Sequence, residues 1–451
     1  MEEKSDSGIL AIALVDGEHY PDVVLDALRY LEEGAGYRLT AIVFLGGTEK
    51  LTDVSELSYG DLPVYSGSGG VEDLRRAMAG SPAEVVLDLS DEPILGYRER
   101  FVLISEALSR GISYRGADFY FEAPRRPFAC ARPAIGVWGS GKRVGKTAVS
   151  GYLARHLSDK GTRPCVLTMG RGGPAEPELL ASPEQIKDPY LRRRVEQGFH
   201  AASDHFEDAM MANVVSVGCR RCGGGMAGEP FYSNVEEGAV IACSQDCDVV
   251  VFEGSGAAIP PVGVDAVLLV ASAVQPREYL LEYLGRYRLL ISDVVVVTIC
   301  EDFLVSSDKL RSVIDGIRSI NPRAKVVKAV FRPRPIGDLQ GKKIFLTSTV
   351  PREALDVQAG HLASEYGAVV LGASSNLADR RRLEKDLEGA AGAEVLVTEL
   401  KAAGVDTVSM FAERQGKELI YIENIPVSLD GNLEEEIDHL MVLARERFAR
   451  R

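Results

Sequence analysis

Short, almost unbroken apolar runs punctuate the N-terminal part of the chain, and amphipathic stretches fill the intervals between them. Ile9–Asp16, Leu39–Leu45, Pro63–Tyr65 and Glu84–Leu89 read as strands buried on both faces, whereas Tyr20–Glu33 and Val71–Met78 carry apolar residues at helical spacing. The same spacing predicts a helix over Arg98–Arg110, stopped by Gly111, with a further extended stretch near Phe119–Glu122. Continuous strands alternating with helices predict a Rossmann-like, parallel-sheet α/β domain. Ala123–Pro127 and Arg132-Pro133 are rich in proline and charge and have no period, so the domain is taken as residues 1–128.

A second unit opens with an apolar strand at Ala134–Trp138, a glycine-rich turn and a helix from about Thr147 to Asp159. Ala148, Val149, Tyr152, Leu153 and Leu157 recur there at helical spacing and Gly161 supplies the stop. Strands are predicted at Cys165–Met169, Val249–Phe252, Ala266–Val270, Val294–Ile299, Val326–Phe331 and Ile344–Thr347. The alternation predicts a doubly wound sheet over 129–351. Strands near Val369–Leu371, Glu394–Val397 and Leu419–Ile422 make 352–451 a small α/β extension, and the chain shows neither internal repeats nor low-complexity tracts.

Composition narrows the class. At 451 residues, 46% hydrophobic and 26% charged, the chain suits two or three globular domains of ~100–200 residues each. No apolar run approaches the ~20 residues of a membrane-spanning helix, and the acidic start Met1–Asp6 lacks a secretory layout. A cytoplasmic protein with no membrane partner is expected. Seven cysteines, an odd number in a large chain, predict a reducing compartment rather than a disulfide scaffold. A net charge of −15 argues against nonspecific nucleic-acid binding and means that an anionic ligand needs a local basic cluster.

The densest chemical signal is Gly136–Thr147. A strand entering a glycine-rich loop that opens a helix aims backbone N–H groups and the helix dipole at one point, which suits a triphosphate. The phosphate loop proper is Gly139, Ser140, Gly141, Lys142, Arg143, Val144, Gly145, Lys146 and Thr147. Lys146 is expected to reach the β and γ phosphates and the Thr147 hydroxyl to bind Mg²⁺. The strict pattern has glycine where this chain has Ser140. Val249–Phe252 leads into Glu253-Gly254-Ser255-Gly256, where Glu253 is a second candidate Mg²⁺ ligand. Lys146, Lys142, Arg143 and Glu253 are the candidate catalytic residues.

Arginines beside glycines recur elsewhere. Arg171 with Gly172 and Gly173, and Arg220-Arg221 before three glycines, combine guanidinium forks with accessible backbone N–H groups and are candidate phosphate binders. Asp16, Glu18 and His19 follow the first strand, where open parallel sheets bind ligands, and are candidate substrate contacts. Asp88, Ser90, Asp91 and Glu92 support the same argument more weakly. His200 and His205 fall in a helical stretch near Asp204 and Glu207, and only His205 is kept as an outlying phosphate binder. Cys219-x-x-Cys222 and Cys243-x-x-x-Cys247 have spacings that a structural zinc could use, although arginines fill the first knuckle and Cys243 sits in an apolar helical setting.

The loop together with Glu253–Gly256 resembles the dethiobiotin synthetase branch of P-loop proteins, ATP-dependent enzymes that activate an acid group for ring closure. The whole chain resembles the cyclic 2,3-diphosphoglycerate synthetases. That resemblance rests on Asp16–Pro21, Gly139–Thr147, Gly170–Pro174 and Gly218–Gly225, and on domain order and length. It implies a ligase that uses ATP and Mg²⁺, with K⁺ as a possible accessory ion, to join the two phosphates of 2,3-diphosphoglycerate into a cyclic anhydride, releasing ADP and phosphate. A homodimer is the expected assembly. Two other readings are a carboxylate- or carbamate-activating ligase and a nucleotide-switched scaffold ATPase; the arginine–glycine turns disfavour the former.

Overall fold

The structure, a computed structural model, describes residues 8–47, 49–50, 57–198 and 203–451, and the apolar runs of the sequence form its strands. His200 lies outside the described residues. Contacts divide the chain into two units: Met1–Arg125 with Pro276–Ile291 and Ser319–Asn321, and Arg126–Gln275 with Ser292–Arg318 and Pro322–Arg451.

In the N-terminal unit the strands are β1 (Ile9–Val15), β2 (Tyr37–Phe44), β3 (Val64–Tyr65), β4 (Val85–Asp88), β5 (Ser113–Arg115) and β6 (Tyr120–Phe121), in the order β3-β2-β1-β4-β5-β6. All pairs are parallel except β5 with β6. Helices Pro21–Glu33, Gly70–Gly80 and Tyr97–Ser109 supply the crossovers, so this is the Rossmann-like arrangement, with strand order reversing between β1 and β4. Ala11, Ala13, Ile42 and Leu28 are fully buried in its core. The buried Glu106 in the helix Tyr97–Ser109 is gripped by Arg75 at 2.6 Å, Arg110 at 3.0 Å and Arg286 at 3.3 Å.

The second unit is built on a 13-stranded sheet. Its chain contains β7 (Phe128–Ala129), β8 (Ala134–Gly139), β9 (Pro164–Gly170), β10 (Glu178–Leu180), β11 (Val215–Cys222), β12 (Tyr232–Ser233), β13 (Val249–Glu253) and β14 (Val262–Gly263). Then come β15 (Ala266–Ser272), β16 (Val294–Thr298), β17 (Lys325–Pro335), β18 (Lys343–Thr347), β19 (Val369–Ser374), β20 (Val395–Glu399) and β21 (Glu418–Asp430). The order is β10-β11-β9-β13-β8-β15-β16-β17-β21-β20-β18-β19, with β12 on β11 and β7 paired separately with β14. Ile135, Val137, Val251, Leu268 and Val270 share a core with Ile437 and Leu440 of the final helix, Leu433–Phe448.

β17 and β21 reverse the direction of the sheet. β17 pairs in parallel with β16 only as far as Lys328, then continues to Pro335 against β21 in antiparallel register. Ile422 of β21 faces Pro335 on one side and Glu399, the last residue of β20, on the other. The strands β20, β18 and β19 run parallel to β21, so their C-terminal ends turn back toward the C-terminal ends of the phosphate-loop strands. Both are ligand-binding edges in open α/β sheets.

Several boundaries move. Cys219–Cys222, read in the sequence as a turn, ends the strand β11, and the turn begins at Gly223. The helical stretch around His200 and His205 is a helix Asp188–Glu196, a short helix Asp204–Glu207 and a π-helical turn Asp208–Ala212. Cys130 and Cys243 form a disulfide, which the odd cysteine count did not suggest.

Glu106 supplies a test of the N-terminal unit. Burial alone would raise its pKa, but the hydrogen bonds and charges of Arg75 and Arg110 hold it below the ordinary glutamate value. A carboxylate whose pKa falls on folding stabilises above its unfolded pKa, and that stability disappears as pH falls through the folded value. Glu106→Gln is therefore expected to cost about 1–3 kcal/mol at neutral pH, because its arginines are partly solvated, with the difference from wild type shrinking in acid. Urea unfolding followed by circular dichroism at neutral and acid pH measures both.

Candidate active site

β8 delivers the chain into the phosphate loop at Gly139, where a Cβ would lie 2.6 Å from both the Gly256 carbonyl and Lys146 Cδ. Only glycine permits that three-way approach of loop, lysine stem and the turn after β13. Gly145 is equally constrained: its φ is +89° and a Cβ would enter the Phe331 ring at 2.2 Å. Ser140, the departure from the strict pattern, is anchored rather than idle. Its Oγ donates to Gln275 Oε1 at 2.5 Å and its N–H to the Val270 carbonyl at 2.9 Å. Arg143 occupies the left-handed region at φ +61°, a conformation that costs a residue with a Cβ of order 1–3 kcal/mol and persists where the surroundings enforce it.

Lys146 and Thr147 open the helix Lys146–Asp159. Thr147 Oγ1 donates to Glu253 Oε1 at 2.8 Å, joining the helix to the end of β13. Glu253 is 1% exposed and its Oε2 has no hydrogen-bond partner among the described residues. Burial, reinforced by the negative charge of Asp204, pushes its pKa up to about 8 against the pull of Lys146 and Thr147. Asp208 is buried with both oxygens unpartnered among the described residues, and burial plus Glu253 raises its pKa well above the ordinary aspartate value. Glu207 is pushed up to about 7 by burial, opposed by Lys401, whose Nζ lies 3.2 Å from Glu207 Oε1.

This carboxylate group fits a divalent cation. Buried anionic oxygens without partners are costly, and Thr147, Glu253 and the cavity-lining Asp204 are hard oxygen donors. Among the described residues no three His, Cys, Asp or Glu side chains close into a chelate.

A cavity of about 880 Å³ opens beside the loop, lined by Lys142, Arg143, Lys146, Thr147 and Arg171 among others. Its volume is within the ~300–1,000 Å³ range of ligand sites. Arg171 and Arg221 converge on Gly256: a Cβ there would lie 3.0 Å from one Nη2 and 3.7 Å from the other. Among the described residues Arg221 bonds carbonyl and hydroxyl oxygens of Gly223 and Ser255, and its buried Nε has no partner there. Burial and the adjacent Arg171 charge lower its pKa. Two like charges held this close make an anion-attracting point.

Arg220 is tied by Nε to the Gly173 carbonyl at 3.1 Å. Gly173 is required by packing, since a Cβ would sit 2.0 Å from the Cys219 carbonyl, whereas Gly172 faces open space. Asp16, Glu18 and His19 belong to the N-terminal unit. There Asp16 is 1% exposed; its Oδ1 accepts from the Glu18 N–H at 3.0 Å and pairs with His19 Nδ1 at 2.8 Å, and Oδ2 accepts from the Asp91 N–H. Asp16 therefore fastens the loops after β1 and β4 to each other. His205 is 2% exposed, lies between Ser203 and Glu178 and packs under Gly218, a structural setting rather than a phosphate site. Cys243 is committed to Cys130 and Cys222 is exposed, so the four-cysteine zinc arrangement does not form. Sequence reasoning missed Asp204, Glu207, Asp208 and Lys401 as parts of the site; the run Asp204-His205-Phe206-Glu207-Asp208 was the available signal, three acids packed beside an aromatic.

Family models of the cyclic 2,3-diphosphoglycerate synthetases match the chain in three stretches: the N-terminal domain over residues 10–122, the P-loop domain over 134–330 and the C-terminal domain over 335–425. The cyclic 2,3-diphosphoglycerate synthetase of Rubrobacter xylanophilus is 48% identical over 423 residues, covering 93% of this chain and 95% of the relative. That of Thermococcus gammatolerans is 47% identical over 432 residues, with 95% and 96% covered. That of Methanothermus fervidus is 40% identical over 449 residues, with 97% and 98% covered. Among solved structures, the hydrogenase maturation factor HypB of Archaeoglobus fulgidus aligns at 12% identity over 44% of this chain and 81% of its own, with a TM-score of 0.31 that adds nothing to the argument.

Asp208→Asn tests the electrostatic description. Replacing an unpartnered buried carboxylate by a neutral amide of the same shape is expected to stabilise the metal-free protein by about 1–3 kcal/mol, read as a higher melting temperature.

Proposed function

The chain belongs to the cyclic 2,3-diphosphoglycerate synthetase family, and we propose that it uses ATP to close 2,3-diphosphoglycerate into its cyclic phosphoanhydride, releasing ADP and phosphate. The observation that carries this reading is the pairing of two anion-directed centres within one unit. One is the phosphate loop ending in Lys146 and Thr147, with Thr147 bonded to Glu253. The other is the Arg171–Arg221 pair at Gly256, on the turn that follows Glu253.

In this reading Lys142, Arg143 and Lys146 bind the ATP phosphates, and Arg171, Arg221 and Arg220 with the Gly172-Gly173 backbone serve the substrate phosphates. Asp16, Glu18 and His19 are proposed substrate contacts from the N-terminal domain. An oxygen of one substrate phosphate attacks the γ phosphorus in line, and the bond to the ADP oxygen breaks. The neighbouring phosphate then attacks the inner phosphorus of the new diphosphate, closing the ring and expelling inorganic phosphate with the bridging oxygen. Phosphate dianions are competent nucleophiles near neutrality, so these residues act by positioning and by neutralising charge, and no general base is needed. Thr147 and Glu253, with Asp204 beside them, would hold Mg²⁺, which when bound would neutralise charge on the transferring phosphoryl group. K⁺ as an accessory ion, a homodimeric assembly and a cytoplasmic setting without nucleic-acid partners complete the proposal. No helix among the described residues is long and apolar enough to cross a membrane.

Incubation with ATP, Mg²⁺ and 2,3-diphosphoglycerate is expected to yield a cyclic anhydride visible by phosphorus NMR, with heavy oxygen from the substrate phosphates appearing in the released phosphate. Unlabelled phosphate would rule out the diphosphate intermediate. Lys146→Met is expected to lower kcat by about 10²–10³-fold, the scale of losing one charge-stabilising donor, and Arg171→Met to raise KM for 2,3-diphosphoglycerate while leaving ADP affinity unchanged.

A further inference from the structure

The C-terminal strands contribute a second wall to the nucleotide cavity. β18 is followed by the helix Arg352–Tyr366 and then β19 on one side of it; the helix Arg380–Leu387 leads back to β20 on the other side. The connection therefore reverses between β18 and β20, a topological switch point whose crevice lies at the strands' C-terminal ends. Thr349 and Val350 after β18, and Glu399 and Lys401 at the end of β20, line the same cavity as the phosphate loop. Ala402 takes a left-handed φ of +47° immediately after Lys401. Leu400 and Val405 pack with Phe206 and Ala209, which holds Lys401 against Glu207.

The hydrogen bonds along this wall have a forced direction. Glu399, as a carboxylate, only accepts: Oε1 takes Ser348 Oγ at 3.1 Å and Asn424 Nδ2 at 2.5 Å, and Oε2 takes the Thr349 N–H and hydroxyl. Asn424 therefore turns its carbonyl to Gln358, whose Nε2 donates to it at 2.8 Å. Among the described residues Gln358 is left with Oε1 buried and without a partner, although the residue lines the cavity. A ligand group meeting it must donate a hydrogen bond. Phosphate and carboxylate oxygens cannot do so when ionised, and 2,3-diphosphoglycerate has no unesterified hydroxyl. Gln358 is joined through Asn424 to Glu399, two residues before the Lys401 that pairs with Glu207, and it directly follows Val357, which with Val350, Pro351, Ile299 and Phe331 gives the same cavity an apolar surface for a base.

We propose that this C-terminal wall recognises the ribose of the nucleotide, with Gln358 Oε1 accepting from a ribose hydroxyl and Asn424 and Glu399 fixing the amide in that orientation. The proposal rests on the ATP-dependent reading above and gives the C-terminal segment a role in nucleotide selection.

Calorimetric titration of the full-length protein with ADP, 2′-deoxy-ADP, 3′-deoxy-ADP and inorganic triphosphate, in Mg²⁺, tests it. One deoxy analogue is expected to bind wild type about 3–10-fold more weakly than ADP, the scale of one net hydrogen bond. Gln358→Leu and Asn424→Leu are expected to lose a similar factor for ADP, no longer to distinguish that analogue, and to bind triphosphate as wild type does. Unchanged thermal melts and unchanged triphosphate affinity show that each variant is folded. The proposal is overturned if Gln358→Leu keeps wild-type discrimination, or if its loss follows removal of the purine amino group, with purine riboside diphosphate as the probe, and not a ribose hydroxyl. Failure of wild type to bind ADP at all would instead remove the ATP-dependent reading, a result distinct from either.

Discussion

The hydrogen bond from Thr147 to Glu253 ties the first turn of a helix to the end of the neighbouring strand, and the rest of the phosphate site depends on it. The bond requires β8 and β13 to lie side by side, which their parallel register provides. It also requires the turn after Glu253 to approach the loop so closely that Gly139, set against the Gly256 carbonyl, has no room for a substituent. Once that approach is made, Lys146 is directed over Gly139, and Arg171 and Arg221 meet on the far side of the same turn. One polar contact thus fixes the spacing of a nucleotide-directed lysine and a substrate-directed guanidinium pair.

Burying Glu253 in this position works against the stability of the fold, and the neighbourhood makes that worse before a ligand arrives. Asp204, Glu207 and Asp208 add negative charge, which Lys146 and Lys401 oppose. Sites that receive a divalent cation commonly store such unfavourable interactions, which the cation relieves. The protein as a whole carries −15, so its cations are effective through placement rather than number. Apolar packing of Phe206 and Ala209 against Leu400 and Val405 keeps Lys401 in contact with Glu207, linking the acidic group to the C-terminal strands.

Local patterns in the sequence carried the fold a long way. The runs around Ala134–Trp138, Val249–Phe252 and Val294–Ile299 are strands because only a sheet buried on both faces uses such uninterrupted apolar residues, and Gly145-Lys146-Thr147 announced the helix start. Other features depend on contacts between distant residues. Nothing in the sequence around Gln358 signals that Asn424 and Glu399 determine its orientation. The reversal at β21 follows from the antiparallel pairing of Phe331 with Pro426, far apart in sequence. His205 illustrates the opposite error: a polar residue at a suggestive position whose hydrogen bonds are used internally.

The ribbon formed by β17 and β21 carries one further consequence. Side chains along a strand alternate between faces, so displacing one of these strands by a single residue would turn every following side chain to the opposite face. Phe331, seated against Gly145, and Asn424, bonded to Glu399, sit on the two strands of this ribbon. Length variation among natural or engineered variants should therefore accumulate in the connection 336–342, while single-codon insertions within 329–335 or 422–428 would uncouple the two ligand-facing edges at once.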